Sequence, residues 1–173
     1  MDKARIVMVL AQKDFRDEEY TEPKALFDQA GFEVVIASNG VRPCRGRFGL
    51  EVPSELQFEN INVLEFDALV LVGGSGAQQY FRDPMLHQVS QDFNQAGKLI
   101  AAICIAPTIL ANAGLLKGRK VTAYSSEEQV LRFAGVTWSR LAVEIDENII
   151  TANGPQSSKE FGEKIVEVLK SKP

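Results

Sequence analysis

The chain has 173 residues, 45% of them apolar, and carries 19 Lys and Arg against 23 Asp and Glu, a formal net charge of −4. That length fits one domain, 1–173, able to bury a full core without metal or disulfide staples. Mild acidity with no basic run argues against nucleic acid, and no apolar stretch approaches the ~20 residues that span a bilayer.

Taken in chain order, Ile6–Ala11 is the first of four short, nearly continuous apolar runs; the others are Phe32–Ser38, Ala68–Val72 and Leu99–Cys104. Continuous rather than alternating apolar character is the pattern of strands buried on both faces. The N-terminus leads straight into the first run and does not read as a signal peptide. Glu18–Gly31 has helical period, with Ala25, Leu26 and Ala30 on one face and a glycine stop. Asn39–Val52 is rich in Gly, Pro and Arg and reads as a loop or hairpin. Asp83–Gly97 opens on Asp-Pro, with Asp83 as N-cap and Pro84 in the first turn. Ile105–Ala113 is a short apolar helix closed by Gly114. Leu141–Thr151 carries Asp146-Glu147-Asn148 between two β-rich runs and reads as a hairpin, and Gln156–Ser171 is a closing amphipathic helix. Strands alternating with helices predict an α/β fold, a mostly parallel sheet with helices on both faces.

Cys104 falls where a buried strand turns into a helix, with Ala102 two residues before it and Ala106 two after. A sharp elbow needs small residues there so that the two backbones can approach, the need that Gly-x-Ser-x-Gly meets in hydrolases. A thiol at such an elbow is presented at the carboxyl edge of the sheet and faces a helix N-terminus, which favours thiolate. A buried structural cysteine fits the same spacing, and both readings stay open on spacing alone. The reactive reading predicts a depressed pKa for Cys104 and an ordinary one for Cys44. Gly73-Gly74-Ser75-Gly76 follows the third strand at the same edge, where free N–H groups can hold an oxyanion, although a tight turn also explains it. Asp17, Glu18 and Glu19 open the first helix; first-turn acids are ordinary capping, and one reaching the cleft as a general acid or base is the sharper reading. His87, the single histidine, reads as a solvated helix residue. One His and two separated Cys give no metal-ligand spacing, so neither metal nor cofactor is expected. Cys44, between Pro43 and Arg45, reads as an incidental surface thiol, and two cysteines form no disulfide framework; a reducing cytoplasm is the expected location.

Ala101-Ala102-Ile103-Cys104 with Ala106-Pro107, then Ala113-Gly114-Leu115-Leu116-Lys117-Gly118-Arg119-Lys120-Val121-Thr122, resembles the ThiJ/PfpI superfamily. So do Asp67-Ala68-Leu69-Val70-Leu71 before Gly73-Gly74, and Ile150-Thr151-Ala152-Asn153-Gly154-Pro155 before the last helix. The resemblance runs almost end to end. It implies a flavodoxin-like three-layer sandwich of the class I glutamine amidotransferase type, with a nucleophile elbow, and a homodimer or larger assembly. It makes Cys104 the nucleophilic or oxidisable cysteine and places Glu19, counted back from Pro23, as a buried glutamate beside it. It makes the Gly74 and Ile105 N–H groups the oxyanion-binding pair and Tyr124 a polar residue of the pocket. Departures are as informative. PfpI proteases have His where this chain has Ile105, and an acidic partner where it has Gln78. Asn153 replaces a family Arg, and Arg16 stands where Glu is common. A Cys-His-acid hydrolase therefore does not assemble. The resemblance thus favours a stress-response protein using Cys/Glu chemistry on small reactive carbonyls, in the manner of glyoxalases and deglycases. A non-enzymatic redox sensor or chaperone acting through Cys104 oxidation is the second reading, and a PfpI-type peptidase or amidase, disfavoured by Ile105, is the third. The expected partners are a small carbonyl substrate or an oxidant and a second copy, with no nucleic acid and no membrane.

Overall fold

The structure is a computed structural model and describes residues 3–172. In chain order it runs β1 (Arg5–Val9), β2 (Lys13–Phe15), α1 (Asp17–Gln29), β3 (Glu33–Ser38), β4 (Cys44–Gly46), β5 (Glu51–Val52) and β6 (Leu56–Gln57). There follow β7 (Ala68–Leu71), α2 (Pro84–Gln95), β8 (Leu99–Ile103), α3 (Pro107–Asn112), β9 (Lys120–Val121), α4 (Glu128–Phe133) and β10 (Thr137–Trp138). The chain ends with β11 (Val143–Asp146), β12 (Ile149–Ala152) and α5 (Ser158–Ser171).

The central sheet has seven strands in the order β11-β12-β8-β7-β1-β3-β6. Its pairings are parallel except that of β11 with β12, the hairpin expected around Asp146-Glu147-Asn148. Every residue of β7, β8 and β12 is buried, as continuous apolar runs require when both faces are covered. The covers are α1 with α5, packed on each other and on β3, β8 and β12, and α2, packed on β7, β8 and α3. This is the mixed α/β, mostly parallel, flavodoxin-like sandwich. The Asn39–Val52 stretch resolves into β4 and β5, which form a small second sheet with β2.

Helix ends follow their sequence signals. Asp83 caps α2 by accepting from the Met85 and Leu86 N–H groups at 2.9 and 3.0 Å, with Pro84 in the first turn. α1 ends on Gly31 at φ 76°, where the Gly31 and Phe32 N–H groups return to the Asp28 and Phe27 carbonyls. No helix among the described residues is long and apolar enough to cross a membrane.

Strand order places the site. From β1 the chain goes first to β3 on one side and then to β7 on the other. The loops leaving β1 and β7 therefore diverge, opening the crevice at the carboxyl ends of the strands where α/β folds bind ligands. α1, which follows β1, is held over that edge by its contact with α5. A Cβ built on Gly162 of α5 would lie 2.8 Å from both Pro23 Cα and Leu26 Cδ1. The Gly162→Ala variant should therefore lose about 1–2 kcal/mol of stability: overpacking costs ~1–3 kcal/mol and outweighs the ~1 kcal/mol that alanine gains as a helix former. Urea unfolding with an unchanged m-value measures it, and a variant as stable as wild type would refute the close-packed crossing.

Candidate active site

Cys104 is the residue at which β8 becomes α3, and its φ is 65°, a left-handed conformation that a non-glycine residue adopts at a cost of order 1–3 kcal/mol. Main-chain bonds hold it there: its N–H donates to the Ala152 carbonyl at 2.9 Å and its carbonyl accepts from the Tyr124 N–H at 2.8 Å. The helix begins only at Pro107, after a turn through Ile105 and Ala106, where the spacing had suggested Ile105. The thiol is thereby turned towards the loop that follows β7 and towards α1. Cys104 is 8% exposed.

Glu19 lies in the first turn of α1 and is fully buried. Its Oε2 accepts from the Gly73 N–H at 2.9 Å. Its Oε1 is the one buried side-chain oxygen or nitrogen among the described residues without an aligned hydrogen-bond partner. The Cys104 thiol interacts with this carboxyl strongly enough to affect the titration of both groups. The two form a close polar contact rather than an aligned hydrogen bond. Gly73 permits the contact, because a Cβ there would lie 2.5 Å from Glu19 Oε2 and 2.7 Å from Cys104 Cβ. Gly74, at φ 95°, brings its N–H to the thiol, and the Ile105 N–H joins it. Gly73 belongs to the Gly-rich turn whose N–H groups are expected to hold an oxyanion; in the structure its own N–H is given to Glu19 instead.

The other first-turn acids face elsewhere. Glu18 pairs with Arg16 at 2.7 Å, and the Asp17 carboxylate accepts from the Phe48 and Leu50 N–H groups at 3.1 and 3.3 Å, pinning the β4–β5 hairpin to α1. The Arg16 guanidinium also sits 4.9 Å from the centre of the Phe48 ring. It is close enough to favour negative charge on both Glu19 and Cys104. Tyr124 meets the elbow through its main chain, while its side chain, 46% exposed, lies against the Gly154 turn. His87 is part-buried, its Nε2 at 2.9 Å from the Phe81 carbonyl, and takes no part in the site. Among the described residues no cluster of three or more His, Cys, Asp or Glu side chains is placed to hold a metal.

The electrostatics correct two expectations. The Cys104 thiol is pushed up, not down. Burial is the main cause, followed by the charge of Glu19 and the polar contact with its carboxyl; the Gly74 and Ile105 N–H groups oppose them without prevailing. The helix N-terminus expected to favour thiolate is a short one that starts beyond Ala106. Cys44 is not a surface thiol: it is fully buried on β4, and burial raises its pKa too. Glu19 is pushed up to about 7, chiefly by burial, against the lowering effects of Cys104, the Gly73 N–H and Arg16. Near neutrality the Glu19–Cys104 pair thus changes from two protons to one.

A carboxyl that keeps its proton longer in the folded than in the unfolded chain stabilises the fold below its unfolded pKa, and that contribution is lost as pH rises through its folded pKa. For Glu19 the window runs from the ordinary 4.5 to about 7. Across it wild type should lose about 3 kcal/mol relative to Glu19→Gln, at about 1.4 kcal/mol per pH unit. Urea unfolding of both proteins at several pH values measures the difference. A constant gap from pH 4 to 8 would mean that Glu19 titrates normally.

A deglycase of Pyrococcus horikoshii is 33% identical over 95% of this chain and 99% of its own length. A putative cysteine protease of Bacillus subtilis is 29% identical over 95% and 98%. The crystal structure of a ThiJ/PfpI domain protein from Brachyspira murdochii superposes with a TM-score of 0.97 at 34% identity, covering 99% of this chain and 100% of that one. The DJ-1/PfpI family profile matches residues 4–168, and the chain belongs to the DJ-1/PfpI family.

Proposed function

We propose that the protein is a Cys104/Glu19 enzyme acting on small reactive carbonyl compounds, 2-oxoaldehydes and their adducts. The observation that carries this reading is the Glu19 carboxyl, fully buried against the thiol, where burial pushes its pKa up to about 7. A structural carboxylate would be solvated or paired with a cation; this one is kept where it can take and return a proton near neutral pH. The deglycase name of the Pyrococcus relative points the same way.

The chemistry follows from the groups present. Ionised Glu19 accepts the thiol proton as Sγ bonds to the aldehyde carbon, and the carbonyl electrons move to oxygen. That oxygen meets the N–H groups of Gly74 and Ile105, which already converge on the sulfur, and is then protonated by Glu19. With a 2-oxoaldehyde, Glu19 next takes the proton from the former aldehyde carbon and gives it to the neighbouring carbon, while the hydroxyl proton passes from the first oxygen to the former ketone oxygen through an enediol, leaving a thioester with a 2-hydroxyl group. Water hydrolyses the thioester to a 2-hydroxy acid and restores the thiol. The sum is one aldehyde and one water in, one hydroxy acid out, with no external oxidant or reductant. An 8% exposed thiol suits a small electrophile better than a folded polypeptide.

With methylglyoxal as substrate, Cys104→Ser should abolish turnover, Glu19→Gln should lower kcat/KM by about 100-fold or more, and Glu18→Gln should change it by less than about threefold. Activity should fall as pH drops below about 7, because the proton-accepting form of Glu19 is lost there. Equal effects at Glu18 and Glu19 would overturn the assignment. Cleavage of a fluorogenic peptide amide should be undetectable in wild type and should rise in Ile105→His, which supplies a proton for the leaving amine. Cys104-dependent amide cleavage in wild type that the histidine does not raise would instead favour a peptidase.

A further inference from the structure

The thiol faces the loop after β7 and the start of α1, and Arg16 is the residue that joins the two. Its N–H donates to the Gly73 carbonyl at 3.0 Å, while the Gly73 N–H donates to Glu19 at 2.9 Å. Arg16 and Glu19 thus grip one glycine from opposite ends, and a Cβ on that glycine would lie 2.7 Å from Cys104 Cβ. On Gly74, whose N–H reaches the thiol, a Cβ would collide with the Arg16 nitrogen. Arg16 is therefore packed against the same two glycines as the thiol, with its own side chain half-buried.

The guanidinium is only partly engaged. Glu18 takes its Nε–Nη2 edge, at 2.7 Å from Nε and 3.4 Å from Nη2. The Phe48 ring, centred 4.9 Å away, covers one face. Nη1 makes no hydrogen bond among the described residues, so the Nη1–Nη2 end is open. That end is a planar fork able to hold a carboxylate with two parallel N–H bonds, and Glu18 and Phe48 fix its plane. Its positive charge is already felt at Glu19 and Cys104. The neighbouring acids do not compete for it: Asp17 accepts from the Phe48 and Leu50 N–H groups, and Glu19 from that of Gly73. The adjoining Asn39–Val52 stretch is basic, with Arg42, Arg45 and Arg47 against Glu51 alone, so this edge of the sheet attracts anions although the chain carries −4. The proposed carbonyl chemistry uses Cys104, Glu19 and the N–H groups of Gly74 and Ile105, and leaves the fork idle.

We infer that Arg16 is the specificity residue of the site, its open fork holding a carboxylate that the substrate carries on a short stem while the reactive carbonyl lies at Cys104. For the carbonyl the inference rests on the reaction proposed above; for the carboxylate it rests on the Arg16 fork and its surroundings. The preferred substrate is then a small 2-oxoaldehyde that bears a carboxylate rather than neutral methylglyoxal. That carboxylate is a spectator, at which no bond forms or breaks, and the 2-hydroxy acid that leaves is a dicarboxylate.

Two alkylating agents that differ in charge test the fork without turnover. With either, Sγ displaces iodide and becomes a thioether while the thiol proton passes to solvent; iodoacetate brings a carboxylate and iodoacetamide a neutral amide. Mass spectrometry of the Cys104 peptide reads the rates. The iodoacetate-to-iodoacetamide rate ratio in folded wild type should exceed that of Cys104 in the urea-unfolded chain by about tenfold or more. Arg16→Gln should bring the ratio down to the unfolded value, and Arg16→Lys, a point charge without a fork, should keep part of it. The Arg16 side chain is 31% exposed, so both variants should fold, and circular dichroism verifies that they do. In wild type, propanoate should slow alkylation by iodoacetamide more than propanamide does. A ratio no higher than that of the unfolded chain, a raised ratio that survives Arg16→Gln, or equal effects of propanoate and propanamide overturns the inference. In turnover, 4,5-dioxopentanoate should show a KM about tenfold below that of methylglyoxal, an advantage that Arg16→Gln removes at unchanged kcat. Failure to turn over either compound counts against the proposed reaction and leaves the alkylation ratios to decide the role of Arg16.

Discussion

The dry contact between the Glu19 carboxyl and the Cys104 thiol is the constraint that orders the site. Two groups that can each become an anion share a pocket in which Glu19 is fully buried and Cys104 only 8% exposed. Removing water from a carboxylate costs more than one N–H from Gly73 and a nearby guanidinium return, so the carboxyl keeps its proton to about 7. Burial pushes the thiol up in turn, and the charge of Glu19 beside it pushes it further, since ionising both would place two negative charges side by side. The pair therefore loses one proton in the neutral range, from a carboxyl that burial holds protonated to about 7.

That contact determines much of the surrounding backbone. Gly73 and Gly74 are required by clearance, since a Cβ at Gly73 would intrude between carboxyl and thiol. The positive φ of Cys104 aims the side chain across the β8–β7 boundary instead of along the strand. Glycine would relieve that strain and remove the thiol, which is the usual reason for strain at a functional position. The bonds from Cys104 to Ala152 and Tyr124 oppose the strain, and the hydrogen bonds of Asp17 to the β4–β5 hairpin fix the start of α1 from the other side.

The four buried strands, the elbow, the closing helix and the hairpin on Asp146-Glu147-Asn148 were legible in the sequence, because continuous apolar runs and breakers act locally. The two-residue strands β6, β9 and β10 were not, since pairings that short depend on a neighbour already in place. Which of three consecutive acids meets the thiol is a matter of helix phase, and the count from Pro23 resolved it only through the family pattern. The ionisation of Cys104 was misread for a physical reason. A helix N-terminus is visible in sequence, whereas the burial that outweighs it belongs to the assembled fold. Cys44 was misjudged likewise: flanking Pro43 and Arg45 suggest a surface loop, yet the alternation of β4 turns Cys44 inward and Arg45 out.

The proton inventory explains why carbonyl addition suits this site better than amide hydrolysis. Adding a thiol to an aldehyde moves one proton from sulfur to oxygen, which a single carboxyl beside both atoms can manage. Cleaving an amide moves the proton from sulfur to the leaving nitrogen, so the carrier must reach that atom rather than the carbonyl oxygen. Ile105 offers only its N–H, which is already directed at the thiol. The one histidine is held against the Phe81 carbonyl, and Glu18 is tied to Arg16. Asp17 is spent on the Phe48 and Leu50 N–H groups. With each of these groups committed, Glu19 is left as the proton carrier at the thiol, and passing a proton between the sulfur and an oxygen bound nearby is the step that the proposed carbonyl chemistry requires of it.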